Sequence, residues 1–453
     1  MVLLLAGAAI PSFLAASFLT TSPVAATASS GHLDAVADSI ARAYDDESAP
    51  ALGDSPTLDD YLRVASLRSP ALRSAFYRWK SAVENAGYAG ALPDPTFNYS
   101  YFVESVETRV GPQNQRFALR QMIPWFGTLG ARKHRSLEKS NAAWEAFQSE
   151  RLKLHYRVKT AYYDYYYLGR EIAITRENFQ LVGFWESVAR TKYRVALAGH
   201  PDVIKAQVEL GKLEDRLRTL EEQKKPTAAR LRTALDLADD RDLPVPGAMS
   251  VAEVTVDRDS VLAETYANNP DLKALVHAIE SERAGTRLAG KASWPRLTLG
   301  INYVDTGPAT MPGVPDSGKD PLMLSVGVSL PIWFGANGAR KREAEARLRL
   351  SQSNYDDARN RVAEYVERVV FEYSDALRKT RLYRDGLVPK AEQSLNANYT
   401  AYQAGETDFL NVLDAQRQLL EFQLLLERSR SNLAIRRAEL EMLTGRGISV
   451  TKE

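Results

Sequence analysis

The side chains that could do chemistry lie along the 453-residue chain without the spacing that catalysis or metal binding requires. The five histidines form no paired metal-ligand spacing, and no Ser-His-Asp set, phosphate-binding loop or dinucleotide fingerprint is visible. The absence of cysteine excludes a thiol nucleophile, a thiolate metal site and a disulfide framework. We therefore predict that the protein is not an enzyme and holds no metal or cofactor. Its net charge of +1 provides no basic field, so we expect no nucleic-acid partner.

Carboxylates and glycines instead occur together in two short segments, each of which follows a long stretch of helical periodicity. The first segment contains Gly199, His200 and Asp202, and the second contains Gly405, Glu406 and Asp408. Glycine commonly ends a helix, and each aspartate precedes an apolar run, where it is a natural N-cap for a returning helix. We predict two solvent-exposed turns.

These turns belong to an internal repeat. The matching pieces are residues 69–72 (SPAL) with 269–272 (NPDL), Pro95 with Pro295, 125–127 with 333–335 (both WFG), and Tyr193 and Gly199 with Tyr399 and Gly405. A repeat of about 200 residues is a duplicated domain-sized unit, not a short solenoid module. Residues 307–321, rich in glycine and proline, are the expected place for the extra length of the second copy.

Each copy contains a very long stretch with helical periodicity. Residues 128–196 contain no proline, and residues 336–405 contain only Pro389. About 65–70 helical residues at 1.5 Å each give a rod near 100 Å long. A shorter return helix is expected at residues 202–237, with a kink or break at Pro226. A further helix at about residues 260–290 leads back to the second hairpin.

Four segments between the helices alternate between apolar and polar residues, which is typical of strands with one apolar face. The predicted lipid-facing positions are Phe97, Tyr99, Tyr101, Leu297, Leu299, Ile301, Leu324, Val326 and Val328. For any single strand, a soluble sheet packed on a helix is the alternative. Four strands cannot close a membrane barrel, so a membrane location requires several copies of the chain.

The chain divides into six predicted regions. Residues 1–28 have the uncharged apolar stretch and small-x-small motif of an export signal, although Pro11 interrupts them. The regions after it are an N-terminal extension (29–56), the first repeat (57–243), an equatorial linker (244–259), the second repeat (260–445) and a C-terminal tail (446–453). We expect the linker and the tail to form a mixed region halfway along the rods.

Several of these segments resemble the outer membrane efflux protein family, whose best-known member is TolC. Residues 193–207 (YRVALAGHPDVIKAQ) and 399–419 (YTAYQAGETDFLNVLDAQRQL) are similar to the two periplasmic tips of that family. Residues 123–127 (IPWFG) and 330–335 (LPIWFG) resemble its passages from strand to helix, where proline ends the strand and glycine allows the turn. The resemblance covers nearly all of residues 57–445.

The resemblance implies a mainly α-helical fold with a small membrane β-barrel. A long antiparallel α-helical barrel would carry four strands per protomer, and a homotrimer would close a twelve-stranded barrel. Such a protein is an exit duct in the cell outer membrane, surrounded by lipid, with a helical tunnel extending into the periplasm. It passively conducts substrates delivered by a periplasmic adaptor and an inner-membrane pump, here of the resistance-nodulation-division type.

The resemblance also implies roles for the two tips. Their residues around Gly199 and Gly405 would contact the adaptor, and Tyr402, Asn411 and Asp414 would form the gate. Asn411 departs from the carboxylate common at its position, so Asp414 alone would form an acidic ring that favours bound cations. Two alternatives stay open: a duct for type I protein secretion, and a periplasmic coiled-coil scaffold or adaptor without a barrel.

Overall fold

The computed structural model describes residues 30–45, 52–53, 56–196, 199–237, 243–247, 249 and 252–446. The predicted export signal and residues 447–453 of the predicted tail lie outside this part of the chain. Within it, no helix combines the length and the apolar character needed to cross a membrane.

The secondary structure repeats, as the sequence predicts. After an N-terminal helix, α1 (Ser30–Asp45), the first copy contains α2 (Leu58–Arg68), α3 (Pro70–Tyr88), β1 (Thr96–Thr108), β2 (Gly111–Ile123), α4 (Thr128–Arg194) and α5 (His200–Leu235). The second copy contains α6 (Arg258–Asn268), α7 (Pro270–Lys291), β3 (Arg296–Thr306), β4 (Leu322–Ser329), α8 (Phe334–Arg381), a π-helical segment (Leu382–Leu387), α9 (Val388–Ala404) and α10 (Phe409–Thr444). The predicted mainly helical fold with four antiparallel strands is confirmed.

The long rods are present in both copies. Helix α4 has 67 residues, which corresponds to about 100 Å at 1.5 Å per residue. In the second copy, α8, the π-helical segment and α9 follow one another without a gap over residues 334–404. The loop between β3 and β4 covers residues 307–321, whereas only residues 109 and 110 separate β1 from β2, so the extra length of the second copy lies where the sequence predicts.

Two short helices, not one, lead into each hairpin, which corrects the single helix predicted for residues 260–290. Ser69 and Asn269 are N-caps whose side chains accept hydrogen bonds from the backbone N–H groups of Leu72 (3.3 Å) and Leu272 (3.2 Å). The proline that follows each cap takes a first-turn position where its missing N–H breaks no hydrogen bond. The repeated SPAL/NPDL sequence therefore marks a helix boundary.

Of the kink or break predicted at Pro226, the break is wrong, because α5 continues through this residue. Leu220, on one side of the proline, and Ala228 and Leu231, on the other, are all buried in the same core as residues of α4. This packing on both sides preserves the helix although one backbone hydrogen bond is lost. Pro389 lies in the first turn of α9, directly after the π-helical segment, and likewise does not interrupt the rod.

Three apolar cores lie along the rods. One joins α1, α2 and α3 to the middle of α4 and contains the fully buried Tyr61, Phe76 and Trp79. Another joins α6, α8 and the end of α10 around Tyr373. The third lies toward the tips, where α4, α5, α9 and α10 meet around Phe409 and Leu413. The two copies therefore have separate cores at mid-height and share one core near the tips.

The described residues between α5 and α6 contact both rods at mid-height. Tyr165 of α4 donates a hydrogen bond to the carbonyl oxygen of Leu243 (3.0 Å), and Tyr373 of α8 donates one to that of Val254 (2.7 Å). These tyrosines have the same spacing in the sequence as Trp125 and Trp333, so they are equivalent positions of the repeat. Each copy thus fixes one end of this connection.

His155 makes the fold sensitive to acid. It lies on α4 against α2, with its Nε2 3.0 Å from Ser66 Oγ, and burial together with the charges of Arg151 and Lys159 lowers its pKa to about 4. Between pH 6.5 and about 4 the unfolded chain binds a proton at this residue that the folded chain does not, so stability falls as the pH drops through this window.

We expect the His155→Gln protein, which keeps a hydrogen-bonding side chain but does not titrate, to lose less stability between pH 7 and pH 4 than the unmodified protein. The difference in slope should approach about 1.4 kcal/mol per pH unit. Thermal unfolding at a series of pH values measures it. Parallel curves for the two proteins would contradict the depressed pKa.

Candidate functional site

The four strands form one antiparallel sheet in the order β1-β2-β3-β4, and their register aligns the predicted apolar positions. One row across the sheet consists of Phe97, Leu119, Ile301 and Leu324. The next consists of Tyr99, Phe117, Tyr303 and Leu322, and further pairs join Leu299 to Val326 and Leu297 to Val328. Because paired residues point to the same side of a sheet, all nine predicted lipid-facing residues share one face.

The apolar face of the sheet is exposed, whereas the polar face is buried at its centre, on β2 and β3. On the apolar face, Phe97, Leu324 and Val326 are 62%, 82% and 70% exposed. On the opposite face, Ala118 and Asn302 are only 4% and 3% exposed, and Arg116 Nη2 donates a hydrogen bond to Asn302 Oδ1 (3.0 Å). An exposed apolar band opposite a polar face is the pattern of a sheet that has lipid on one side.

Both edges of the sheet are open. Strands β1 and β4 each pair with one neighbour, and no other strand of the described chain covers their outer sides. Unpaired backbone N–H and C=O groups are costly in a membrane, and exposed edges promote pairing with another chain. The sheet is therefore an incomplete unit.

The passage from the sheet to α4 contains a contact between two tryptophan side chains, of which the sequence predicts only one. Gly127 begins α4 with a positive φ of 75°, as the IPWFG segment indicates. The ring of Trp125 stacks on that of Trp294, with their centroids 4.9 Å apart. Lys291 Nζ donates a hydrogen bond to the carbonyl oxygen of Phe126 (3.0 Å). The role of Trp294, which directly precedes Pro295, was not predicted. Its position directly before a strand of the repeat could have indicated a contact at the passage from sheet to helix.

The two tips have different turns, although their sequences match. Gly405 ends α9 in the left-handed region with a φ of 80°, as predicted. Gly199 instead begins α5 with an extended backbone, and Ala196 carries the positive φ of the first tip. The predicted N-cap role of Asp202 is wrong, because Gly199 is the N-cap and Asp202 lies in the first turn of α5. Asp408 is at the N-cap position of α10 but makes no capping hydrogen bond with its side chain.

The remaining predicted tip residues lie on the surface. His200 and Glu406 are exposed, and the ring of His200 is 5.2 Å from that of Tyr193. Burial raises the pKa of the Asp202 carboxyl; the Lys205 charge opposes this rise, and the nearby Asp408 carboxylate adds to it. Lys192, near the end of α4, donates a hydrogen bond to the carbonyl oxygen of Gln403 (3.1 Å), so the two tips lie side by side.

Tyr402, predicted as a gate residue, is buried inside the protomer. Its ring lies 5.2 Å from that of Phe409, and Lys192 Nζ lies 4.4 Å from the centre of the ring. Lys192 also donates a hydrogen bond to the carbonyl oxygen of Tyr402 (2.7 Å), and burial raises the pKa of the Tyr402 hydroxyl to about 12. Tyr402 therefore joins the second hairpin to α4, and its ring is buried within the protomer.

Asn411 and Asp414 are exposed, but neither is free of partners. Asn411 donates a hydrogen bond to Thr407 Oγ1 (2.6 Å), and the Asp414 carboxylate accepts one from Arg417 (3.1 Å). Arg417 also donates two hydrogen bonds, of 3.0 and 2.5 Å, to the buried carboxylate of Glu209 on α5. The contact between Arg417 and Glu209 was not predicted. In the sequence, only the three-residue spacing of Asp414 and Arg417 indicates an ion pair at this place. Arg417 and Glu209 connect the return helices of the two hairpins.

The described residues contain no group of three or more histidines, aspartates or glutamates arranged to hold a metal ion. The described chain thus has an incomplete sheet with an exposed apolar face at one end, rods of about 100 Å, and two joined turns at the other end.

Comparison with known proteins agrees with this arrangement. The outer membrane efflux protein family matches residues 62–236 and 261–446. Outer membrane efflux protein BepC of Brucella suis is 21% identical over 292 residues, 64% of this chain and 63% of BepC, so the chain spans slightly less than two thirds of that relative. Pyoverdine export outer membrane protein OpmQ of Pseudomonas putida is 24% identical over 396 residues, 82% of this chain and 81% of OpmQ.

A solved structure has the same fold. The outer membrane protein VceC of Vibrio cholerae aligns with a TM-score of 0.67 and 19% identity, covering 86% of this chain and 97% of VceC. The family match covers most of the chain and includes both copies of the repeat. The chain therefore belongs to the outer membrane efflux protein family.

Proposed function

We propose that this protein is the exit duct of a tripartite efflux system and passively conducts substrates across the outer membrane. The observation that carries the proposal is the sheet, which exposes an apolar face and leaves both edges open. Three copies would pair β4 of one protomer with β1 of the next and close a twelve-stranded barrel in lipid, since a closed barrel leaves no edge unpaired. The rods would extend the duct into the periplasm.

The tips are the proposed docking site for a periplasmic adaptor. Gly199, His200, Asp202, Gly405, Glu406 and Asp408 lie at the end of the rods farthest in sequence from the strands, where α4 and α9 reverse into α5 and α10. The names of BepC and OpmQ refer to efflux and export, which supports a role beside an adaptor and an inner-membrane pump. We propose a pump of the resistance-nodulation-division type.

Conductance measurements test the proposal. The purified protein added to a planar lipid bilayer should produce discrete current steps. The Arg417→Ala protein should produce larger ones, because the loss of the Arg417–Glu209 contact releases the two return helices near the tips. The absence of current steps from both proteins would refute the proposed duct.

We propose that Asn411 and Asp414 line the gate of the duct. The contact between Arg417 and Glu209 would hold the helix that carries them in place. Asp414, Arg417 and Glu209 together carry one net negative charge per protomer, and three copies would surround the proposed axis. Multivalent cations should therefore block the channel. Replacing Asp414 by alanine leaves this group neutral.

We expect Asp414→Ala to weaken current block by a trivalent cation about ten-fold or more, as expected for the loss of a charged ring. The matched control is Asp357→Ala, which removes an equally exposed aspartate that is paired with Arg361 on α8. Block that is unchanged in Asp414→Ala, or weakened equally in both variants, would exclude Asp414 from the gate.

A further inference from the structure

The polar face of the sheet carries positive charge without compensation. In the strand segments with continuous pairing, residues 96–101, 115–123, 296–305 and 322–329, the charged residues are Arg116, Arg120, Arg296 and Asp305, and Asp305 pairs with Gln115 in the row of Tyr101, on the apolar side. None of these arginines forms an ion pair with a residue of the described chain. The positive charge excess is therefore a property of the polar face in this part of the sheet, since Glu104 and Glu107 follow the end of the continuous pairing of β1 at Tyr101.

The register places all three arginines on the face opposite the apolar band. Arg116 pairs with Val304, Arg120 pairs with Gly300, and Arg296 pairs with Ser329. Positions 296, 300 and 304 of β3 are separated by four residues each, so the arginines form three tiers about 13 Å apart at 3.3 Å per residue. The tiers extend from Arg296, at the strand ends near the helices, toward the opposite end of the sheet, where Arg116 lies.

The neighbours of the arginines are small or neutral and keep the charged groups accessible. The Arg116 guanidinium donates to Asn302, whose amide in turn contacts Ser325 Oγ (3.4 Å). Gly300 leaves room for its neighbours: a Cβ there would lie 2.5 Å from Ser325 Oγ and 3.4 Å from Arg120 Cγ. Arg120 and Arg296 are exposed. The polar face thus has space beside its cations.

We infer that these arginines form a cationic lining of the barrel lumen that favours the passage of anionic solutes, such as small carboxylates and phosphates. The inference rests on the proposed function, because closure by three copies would convert each arginine into a ring of three. Rings of arginine or lysine are the usual means by which pores select anions. The Debye length is about 8 Å at physiological ionic strength, so an anion midway between two tiers about 13 Å apart lies within range of both.

Reversal potentials in a potassium chloride gradient across a planar bilayer test this inference. The Arg116→Gln/Arg120→Gln protein should show a chloride-to-potassium permeability ratio lower than that of the unmodified protein by about two-fold or more. The charge-preserving Arg116→Lys/Arg120→Lys protein should keep the original ratio. The single Arg120→Gln change, at an exposed position, should give a smaller shift in the same direction.

The possible failures are distinguishable. Channels whose permeability ratio is the same in the unmodified, glutamine and lysine proteins would overturn the arginine lining but leave the duct intact. A lysine protein that shifts as far as the glutamine protein would also overturn it, because geometry and not charge would then set the ratio. If the unmodified protein formed no channel, the proposed function would fail, and this inference with it.

Discussion

Replacing Val326 by arginine is expected to destabilise the proposed trimeric barrel by about 2–4 kcal/mol, because the change places a charge on the proposed lipid face near the middle of a strand. Val326 lies on β4 opposite Leu299, and its side chain is exposed on the apolar band. A charged group at this depth must draw water into the hydrocarbon or force the strand outward. The measurement is the urea dependence of folding into phospholipid vesicles.

Ser325 provides the matched control, since it is adjacent in sequence and lies on the opposite face of the same strand. It pairs with Gly300, in the row that already accommodates Arg120. Ser325→Arg should therefore cost much less than Val326→Arg. Equal losses of stability in the two proteins would mean that the assignment of the faces, or the membrane location of the sheet, is wrong.

Replacing Gly405 by valine is expected to abolish efflux while the protein still reaches the outer membrane as an assembled duct. The φ of 80° at Gly405 is a conformation that a β-branched residue adopts only with strain, roughly 1–3 kcal/mol. No atom lies within 4 Å of the position that a Cβ would take, so the effect comes from the backbone and not from a clash. A strained turn would displace Glu406 and Asp408 from the proposed adaptor contact.

Asparagine is the informative control at this position, because it adopts the left-handed conformation far more readily than valine. Cells that carry only Gly405→Asn should resist toxic compounds nearly as well as unmodified cells. Cells with Gly405→Val should become as sensitive as cells that lack the protein, with equal amounts of protein in the outer membrane. Equal sensitivity of the asparagine and valine cells would contradict the backbone explanation.

Features that depend on neighbouring residues could be predicted from the sequence. The strict alternation in β3 and β4 is sufficient to identify the apolar face, because a period of two allows only one assignment of sides. The left-handed turn at Gly405 and the strand exit before Gly127 are likewise local, since glycine and proline restrict the backbone wherever they occur. The repeat supports these predictions independently, because an element that is clear in one copy is expected at the matching position of the other.

Features that depend on contacts between distant segments could not be predicted. Tyr402 is buried in the core that α9 and α10 share with α4, where Lys192, about 200 residues earlier, lies over its ring, and no spacing in the sequence reveals this pair. The Arg417–Glu209 contact has the same origin. Pro226 shows the limit of a local rule: proline weakens a helix, but buried leucines on both sides keep it continuous.

The molar mass of the detergent-solubilised protein tests the central claim most directly. That claim is that four strands per chain are an incomplete barrel, which three copies close. Light scattering, corrected for bound detergent, should give three times the mass of the mature chain over a wide range of protein concentrations. A stable monomer of that mass would contradict the account, because its open strand edges would then need no partner.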